Sequence, residues 1–565
     1  MGLAEHNATE TMQANRSELE MTGISSECDV LVVGGGMAGL TAAAYVARAG
    51  LKVRVCEKQK KTGGLVNSFE HNEFTFDGGI RAMENSGIVM PMLRQLGLEV
   101  EFIPGAVSIG IGRDVARIST RDDLGAYRQL LEKHFPANKP DIARIMKEVE
   151  KVMGYMAVLY GIDNPLFLDL KNSPGYVFRT ILPWLLRYTL TMPKVTRLNG
   201  PVYEHLSRLT ANRALADIIA QHFFRDTPAF FALSYFSLYL DYRYPKGGTG
   251  TLARAVEGYV LANGGAIDTE TAIAKVEPDR KLAVDANGRT YRYRKLVWAA
   301  DQKALYRSTE VASITDSRTA AHVRAKQEEL KDKVGGDSVF TVFVTANLDK
   351  SYFAKIASAH FFYTPSAAGQ SGADLSQLLE VAGSGPSKFT DDKPRLISWL
   401  KKLLTLTTYE ISIPVLRDSA LAPPGQTGLI ISLLFDYSLV RHVQAMGWYD
   451  EFRDMMSDGI VEVLDAGIYP GLKVAVMDRF TSTPLTLERI AGNSDGAITG
   501  WAFTNRPIPA VSRLPQIAKS VLTPVPDVYQ AGQWTFSPSG LPVSILTGKL
   551  AADRVVRALA KGTRD

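Results

Sequence analysis

A β-branched apolar run that breaks at glycines, turns into a small-residue helix and ends in a second apolar run closed by an acid constrains this chain most. It occupies residues 29–57, DVLVVGGGMAGLTAAAYVARAGLKVRVCE. Gly34, Gly36 and Gly39 form G-x-G-x-x-G. The first permits a tight turn, the second lets backbone approach a pyrophosphate, and the third lets helix and strand pack closely. The helix beginning there, with Met37 and Ala38 in its first turn, directs unsatisfied N–H groups and a positive dipole end at the phosphates. Glu57 follows about 20 residues on, at the end of the second strand, where a carboxylate accepts a hydrogen bond from a ribose hydroxyl. Lys58 belongs to the same candidate site. The pattern implies a dinucleotide cofactor; the alternative is a glycine turn that binds nothing.

The class of dinucleotide is read further along. Thr62-Gly63-Gly64 supplies flexible backbone suited to phosphate, and Phe74-Thr75-Phe76-Asp77-Gly78-Gly79 follows, where a nicotinamide-only domain would continue into its next crossover. A second signature lies at residues 527–553, DVYQAGQWTFSPSGLPVSILTGKLAAD. Residues 528–531 read as a strand, Gly532 as a close-approach glycine followed by Gln533, and residues 540–542 as the start of a helix running through Ala552. With Leu541, Pro542 and Val543 in its first turn, that helix could stabilise negative charge on a reduced flavin ring. Residues 272–276 read as a strand whose backbone, at Val276, could meet an adenine.

These motifs, with Tyr244-Pro245-Lys246-Gly247-Gly248-x-Gly250-x-Leu252-Ala253 between them, resemble the phytoene desaturase-related flavoproteins. That family includes carotenoid desaturases, carotenoid cis–trans isomerases and retinol saturase. The resemblance runs in order from about residue 28 to 555, and Thr483-Pro484-Leu485-Thr486 followed by Asp495-Gly496-Ala497 is similar to the isomerase and saturase branches. Desaturases of this group often carry an acid after the C-terminal glycine, where this chain has Gln533. The resemblance implies noncovalent FAD, held in a Rossmann-type α/β domain of the glutathione reductase/amine oxidase kind with an inserted α+β substrate domain. It also implies chemistry on C=C bonds of a hydrophobic polyene or isoprenoid by desaturation, saturation or isomerisation, with a quinone or another electron acceptor where the reaction is a net oxidation. A flavin amine oxidase and, more remotely, a non-catalytic prenyl-protein-binding protein of the same fold are the alternatives.

At 565 residues and 46% hydrophobic content the chain can bury a large core in two or more domains. A net charge of +5 gives no case for nucleic acid. The eight histidines show no ligand spacing, so no metal is expected. Cys28 and Cys56 fall at opposite ends of what should be neighbouring parallel strands, on the order of 15 Å apart at roughly 3.3 Å per residue, too far for a disulfide. Reduced thiols and a cytoplasmic setting follow. The polar residues 1–27 read as a disordered tail rather than a secretory signal. Met1-Gly2 suggests myristoylation, but His6 stands where Ser or Thr is needed, and Asn7-Ala8-Thr9 is a chance sequon.

The division expected is discontinuous: residues 28–105, 247–310 and 491–565 in the FAD domain, and 106–246 and 311–490 in a substrate- and membrane-facing domain. Asn287-Gly288 predicts a hairpin turn between residues 281–285 and 290–294, with a separate buried strand at 296–300 ending at Asp301. Residues 339–345 and 427–434 are strand-like, and 366–387 reads as a loop rich in Gly and Ser. No run of 18 clean apolar residues exists. The best peripheral membrane candidate is residues 176–197, where Val177, Ile181, Trp184, Leu185 and Tyr188 sit among Arg179, Arg187, Lys194 and Arg197, and Pro183 and Pro193 would kink or divide the segment. A pair of buried helices is the alternative. Two aromatic groups are candidates for a substrate tunnel or for plain core: Phe223, Phe224, Phe230, Phe231, Tyr235, Phe236, Tyr239, Tyr242 and Tyr244 within residues 222–244, and Trp501, Phe503 and Trp534. Arg81, Asp301 and Glu488 are candidates for proton transfer, with Asp301 favoured as a helix cap; no spacing singles out a catalytic residue.

Overall fold

The glycine-rich segment folds as strand Ser26–Val33, helix Met37–Arg48 and strand Val53–Cys56. The apolar alternation of the strands and the run of small residues on the helix allow this close layering. The structure, a computed structural model, describes residues 24–561 except 171, 173, 221, 222 and 381–387. Residues 1–23 of the expected N-terminal tail, with Met1-Gly2 and the sequon, lie outside the described residues, as does His222; the end of that tail is ordered instead, Ile24 being buried and Ser26 and Glu27 opening the first strand.

The chain divides into two units: Met1–Gly64, Ala253–Val334 and Pro507–Asp565 form the first, and Leu65–Leu252 with Gly335–Arg506 the second. The boundaries differ from those read in the sequence chiefly at residues 65–105. The hairpin formed by Ser68–His71 and Phe74–Asp77 lies in the second unit, where Phe74 and Phe76 join its largest apolar core.

The first unit is built on a sheet ordered Ile273–Glu277, Leu282–Asp285, Thr290–Trp298, Ser26–Val33, Val53–Cys56 and Ala266–Asp268, with Val528–Gln530 also paired to Thr290–Trp298. Ser26–Val33 is parallel to both its neighbours, with Val33 opposite Trp298 and Cys56. The Asn287-Gly288 hairpin forms as expected, Gly288 taking φ +82°. The sequence reading split its second arm from the strand after it, whereas Thr290–Trp298 is continuous. Lys295, the charge between the two halves, forms an ion pair with Asp527, so it does not interrupt the strand. Cys28 and Cys56 are both free and buried; burial pushes the Cys28 thiol up to about 12.

The second unit holds a seven-stranded sheet ordered Val476–Ser482, Ser338–Ala346, Thr427–Phe435, Tyr409–Ser412, His360–Thr364, Val107–Ile111 and Asp114–Ile118. All its pairs are antiparallel except His360–Thr364 with Val107–Ile111. Phe361, Tyr363 and Ile411 join a core with Leu396, Leu400 and Leu403 of helix Lys393–Leu406. Gly110 is required beside this layer, because a Cβ there would lie 2.8 Å from the Phe361 ring. A second core gathers helices Leu124–His134, Lys139–Leu159 and Ala229–Asp241 with Val107, Ile109 and Phe362.

Candidate functional site

The turn between Ser26–Val33 and Met37–Arg48 has the geometry that its three glycines allow. Gly34 adopts φ +101°, and its N–H donates to the Cys56 carbonyl at 2.9 Å. Gly39 is forced by packing, since a Cβ there would stand 1.9 Å from the Gly34 oxygen. Gly36 is different. It caps the helix in extended backbone (φ −70°, ψ 175°), and a Cβ on it would meet nothing nearer than the Gly64 Cα at 4.0 Å. The protein itself leaves this space open beside the helix N-terminus, where an anion is stabilised. Gly63 borders it, its N–H donating to the Gly35 carbonyl at 2.8 Å, and both Gly63 and Gly64 have positive φ.

Glu57 is buried at the strand end. Its Oε2 accepts from the Gly35 N–H at 2.6 Å and its Oε1 from the Gln59 N–H at 2.8 Å. Each oxygen keeps a second lone-pair direction, the acceptor that a ribose hydroxyl needs. Lys58 beside it has its ammonium pKa lowered by burial, against the opposing charges of Glu57 and Asp301. Val276 is fully buried, and its carbonyl accepts from the Glu310 N–H at 2.8 Å, so any adenine contact at that oxygen shares it.

The far end of the chain completes the same unit. Helix Leu541–Lys561 packs on Met37–Arg48, where a Cβ on Gly548 would lie 2.4 Å from the Ala38 oxygen. Gly532 has φ +99°, faces the Ala38 side chain and donates its N–H to Thr547 Oγ1 at 2.9 Å. Gln533 is part-exposed, and its side chain makes no hydrogen bond among the described residues. Leu541 and Pro542 are buried and Val543 part-buried in the first helical turn, whose amides have no intrahelical acceptor.

The second unit carries polar chemistry that the motifs did not single out. Strand register sets Phe362 opposite Glu410, Glu410 opposite Ser432, Ser432 opposite Thr341, and Thr341 opposite Ser482. One row across five strands is therefore polar from Glu410 onward. Glu410 Oε1 lies 2.9 Å from His360 Nε2. Burial would raise the Glu410 pKa, but the hydrogen bond from His360 and the charges of Arg81 and Arg417 outweigh it and hold the carboxyl below its usual range. Burial lowers the His360 pKa, with the hydrogen bond to Glu410 and the Glu410 charge opposing. A neutral ring that donates from Nε2 has a bare Nδ1, and that nitrogen is buried without a partner. Arg417 donates to the Arg81 carbonyl at 3.0 Å and to Ser412 Oγ at 3.2 Å, and its guanidinium lies 4.5 Å from the Tyr244 ring centroid.

Two sequence motifs meet in this region. Asp77, wholly buried, accepts from the Tyr244 hydroxyl at 2.7 Å, the Thr249 N–H at 2.8 Å and the Ser68 hydroxyl at 2.8 Å. It thereby ties the Asp77-Gly78-Gly79 turn to the Tyr244–Gly250 loop.

The remaining candidates separate clearly. Arg81 is turned inward, donating to the carbonyls of Asp77 and Gly79 at 2.7 and 2.6 Å and to Ser432 Oγ at 3.2 Å. Asp301 caps helix Gln302–Ser308 through the Ala304 N–H at 2.9 Å. Glu488 accepts from the Tyr437 hydroxyl at 2.8 Å. Phe223, Phe236, Tyr239 and Tyr244 are core residues, whereas Phe230, Phe231, Tyr235 and Tyr242 keep accessible surface. Trp501, Phe503 and Trp534 are buried. Glu84, Glu410 and His360 escaped the sequence reading; a lone acid in the apolar run at 409–413 was the one available signal.

Residues 174–196 are helical throughout rather than divided at Pro183. A π-helical turn, Val177–Ile181, precedes Leu182–Thr196, and Pro183, which has no N–H to donate to the preceding turn, stands directly after it. Trp184 turns inward and donates to the Val158 carbonyl at 2.6 Å. The outer row is Phe178, Leu182, Leu185, Leu186 and Leu190, from 49% to 69% exposed. No helix among the described residues is long and apolar enough to cross a membrane, and none of their His, Cys, Asp and Glu side chains cluster as metal ligands.

A family profile described as an NAD(P)-binding Rossmann-like domain matches residues 32–96. Along most of its length the chain is similar to the chloroplastic prolycopene isomerase of Daucus carota (23% identical, covering 95% of this chain and 81% of that protein). It is also similar to the all-trans-retinol 13,14-reductase of Danio rerio (22% identical, covering 90% and 83%). The 4,4'-diapophytoene desaturase of Staphylococcus aureus strain MRSA252 is 21% identical, covering 94% of this chain and 99% of that one. A putrescine oxidase triple mutant shares the fold, with a TM-score of 0.58 at 12% identity, covering 94% of this chain and 99% of that chain. Fold and glycine turn together place the chain in the Rossmann-like dinucleotide-binding class, and its named relatives make it an oxidoreductase. Within that class the chain is similar, over 90% or more of its length, to proteins named for carotenoid isomerisation, retinol reduction and diapophytoene desaturation.

Proposed function

We propose that this protein is an FAD-dependent oxidoreductase acting on C=C bonds of a hydrophobic polyene or isoprenoid, by desaturation, saturation or cis–trans isomerisation. The observation that carries this reading is similarity over 90% or more of the chain to proteins named for three such reactions. The first unit fits the cofactor: Gly36 borders a space that the protein does not fill, at a helix N-terminus. Gly34, Gly36, Met37, Ala38, Gly63 and Gly64 would hold the pyrophosphate, Glu57 and Lys58 the ribose side, and Val276 the adenine. Gly532, Gln533, Leu541, Pro542 and Val543 would face the flavin ring. FAD supplies a two-electron donor and acceptor there. The chain's own residues hold and orient it: Glu57 is fixed by two backbone N–H groups, and Thr547 anchors the Gly532 turn.

The membrane is where such a substrate is collected. The exposed row of Phe178, Leu182, Leu185, Leu186 and Leu190, with Arg179, Arg187, Lys194 and Arg197 exposed alongside, suits peripheral insertion at an anionic headgroup boundary. The experiment is anaerobic incubation of purified protein with phytoene, poly-cis lycopene and retinol, with flavin oxidised or pre-reduced. Conversion of at least one polyene is expected. Turnover of an amine with none of these lipids would favour the amine-oxidase reading, which a shared fold by itself does not carry.

A further inference from the structure

Glu84 approaches the tyrosines at the end of helix Ala229–Asp241 from one side. Met83 and Arg243 exchange two backbone hydrogen bonds, of 3.0 and 2.9 Å, and the Asn85 N–H donates to Asp241 Oδ2 at 2.8 Å. These tethers on either side hold Glu84 near Tyr242. Glu410 comes from the sheet: its partner His360 stacks on the Tyr242 ring, with centroids 5.4 Å apart and planes 13° from parallel. The charges of both carboxyls act on the hydroxyls of the same two residues, Tyr235 and Tyr242. Glu84, Glu410, Tyr235 and Tyr242 each keep accessible surface, and the Glu410 side chain is 34% accessible.

The two carboxyls are shifted in opposite directions. Burial pushes Glu84 up to about 7, a backbone hydrogen bond opposing and the Asp241 charge adding to the rise. Asp241, Tyr160, Tyr235 and Tyr242 are the titratable groups that face it, and no basic side chain acts on it. Glu410 is held below the usual carboxylate range by His360, Arg81 and Arg417, against burial. Environments that separate two carboxyls in this way mark an acid and a fixed charge.

We infer that Glu84 exchanges a proton with the polyene and that Glu410, positioned by His360, presents a fixed negative charge to the cation so formed, an inference that rests on the polyene reading above. In isomerisation the Glu84 O–H bond breaks, and a new C–H bond forms on a polyene carbon from the π pair of one C=C. The positive charge left behind is spread along the conjugated chain opposite the Glu410 carboxylate. The former double bond, now single, rotates. After rotation that carbon presents the hydrogen it first carried; the Glu84 carboxylate removes it as a proton, the donated hydrogen stays, and C=C re-forms. Atoms and electrons balance without an oxidant or a reductant.

The test is incubation of the holoenzyme with poly-cis lycopene in D₂O, with mass analysis of recovered polyene. Deuterium in the wild-type product is expected, falling at least tenfold in Glu84→Gln while flavin content and polyene binding stay unchanged, and recovering in part in Glu84→Asp. The wild-type rate should fall as pH rises through about 7, and that limb should be absent in Glu84→Gln. A readout free of turnover accompanies it. The folded state keeps a proton on Glu84 that the unfolded chain has released above its ordinary pKa of about 4.3. Stability from this group is therefore full below that value and lost as pH rises to about 7, a slope that Glu84→Gln should flatten. Isomerised product without deuterium, or an unchanged Glu84→Gln, overturns the inference alone. A flavin-loaded wild type that converts no polyene overturns the polyene reading and this inference with it.

Discussion

Replacing Gly36 by alanine separates a glycine kept for the fold from one kept for a ligand. Its backbone, at φ −70° and ψ 175°, is open to any residue, and the added methyl would lie 4.0 Å from the nearest protein atom. The cost to the apoprotein is confined to exchanging Gly for Ala at a helix N-cap, about 0.5 kcal/mol. Cofactor binding should suffer far more. The methyl projects into the space beside the first helical amides, and holding a phosphate away from two of them forfeits two charge-assisted hydrogen bonds of about 1.5–3 kcal/mol each. A loss of about 3–6 kcal/mol corresponds to roughly 10²- to 10⁴-fold in Kd. Flavin titration followed by fluorescence quenching reads the affinity, and calorimetric unfolding of the apoprotein reads the fold. Gly39→Ala is the contrast: its methyl would stand 1.9 Å from the Gly34 oxygen, so the apoprotein itself should unfold. Flavin bound by Gly36→Ala within about threefold of wild type, or an apoprotein as damaged as that of Gly39→Ala, would refute the assignment.

Leu186→Glu with Leu190→Glu should weaken binding to anionic vesicles by about 100-fold or more, since each buried leucine is worth about 1.5 kcal/mol or better; flotation measures it, with flavin content unchanged. Gly110→Ala should destabilise the fold by about 1–3 kcal/mol in chemical denaturation, because its methyl would reach within 2.8 Å of the Phe361 ring. Asp285 is held below the usual carboxylate range: burial would raise it, but hydrogen bonds from the Arg289 backbone and side chain and from the Asn287 N–H outweigh this. Its contribution is therefore full above its unfolded pKa near 3.9 and lost as pH falls below that, so the stability gap between wild type and Asp285→Asn should close in acid.

The nucleotide turn was legible because its constraints are local. Three glycines, a helix of small residues and a terminal acid lie within 29 residues, and each answers to a steric or electrostatic demand visible in the sequence. The Asn287-Gly288 hairpin was legible for the same reason. Reading failed where a distant partner decides the local structure. Lys295 reads as a break between two strands until Asp527, more than 200 residues away, neutralises it. In the helix at residues 174–196, Trp184 reads as an interfacial residue, yet it finds its acceptor in Val158, while Leu185 of the same set is exposed together with Leu182, Leu186 and Leu190.

The polar row of the second unit shows why its chemistry stayed hidden. Thr341, Glu410, Ser432 and Ser482 come from four strands and become neighbours only through register. Each hydroxyl alone is an ordinary strand residue, and Thr341 and Ser432 bond each other at 2.8 Å. Glu410 is the exception, because an isolated carboxylate in a buried strand costs several kcal/mol unless it is paired. Its presence at 409–413 demands cationic or donating groups across the sheet, and the fold supplies them from far apart in the chain: His360 from the adjacent antiparallel strand, Arg81 from the turn after Asp77, and Arg417 from beyond the strand end. A core of apolar residues would have satisfied the sheet at less cost. Three cationic or donating side chains gathered around one acid, all facing residues that keep accessible surface, therefore make sense as a device for holding negative charge where a greasy, electron-rich chain becomes positive.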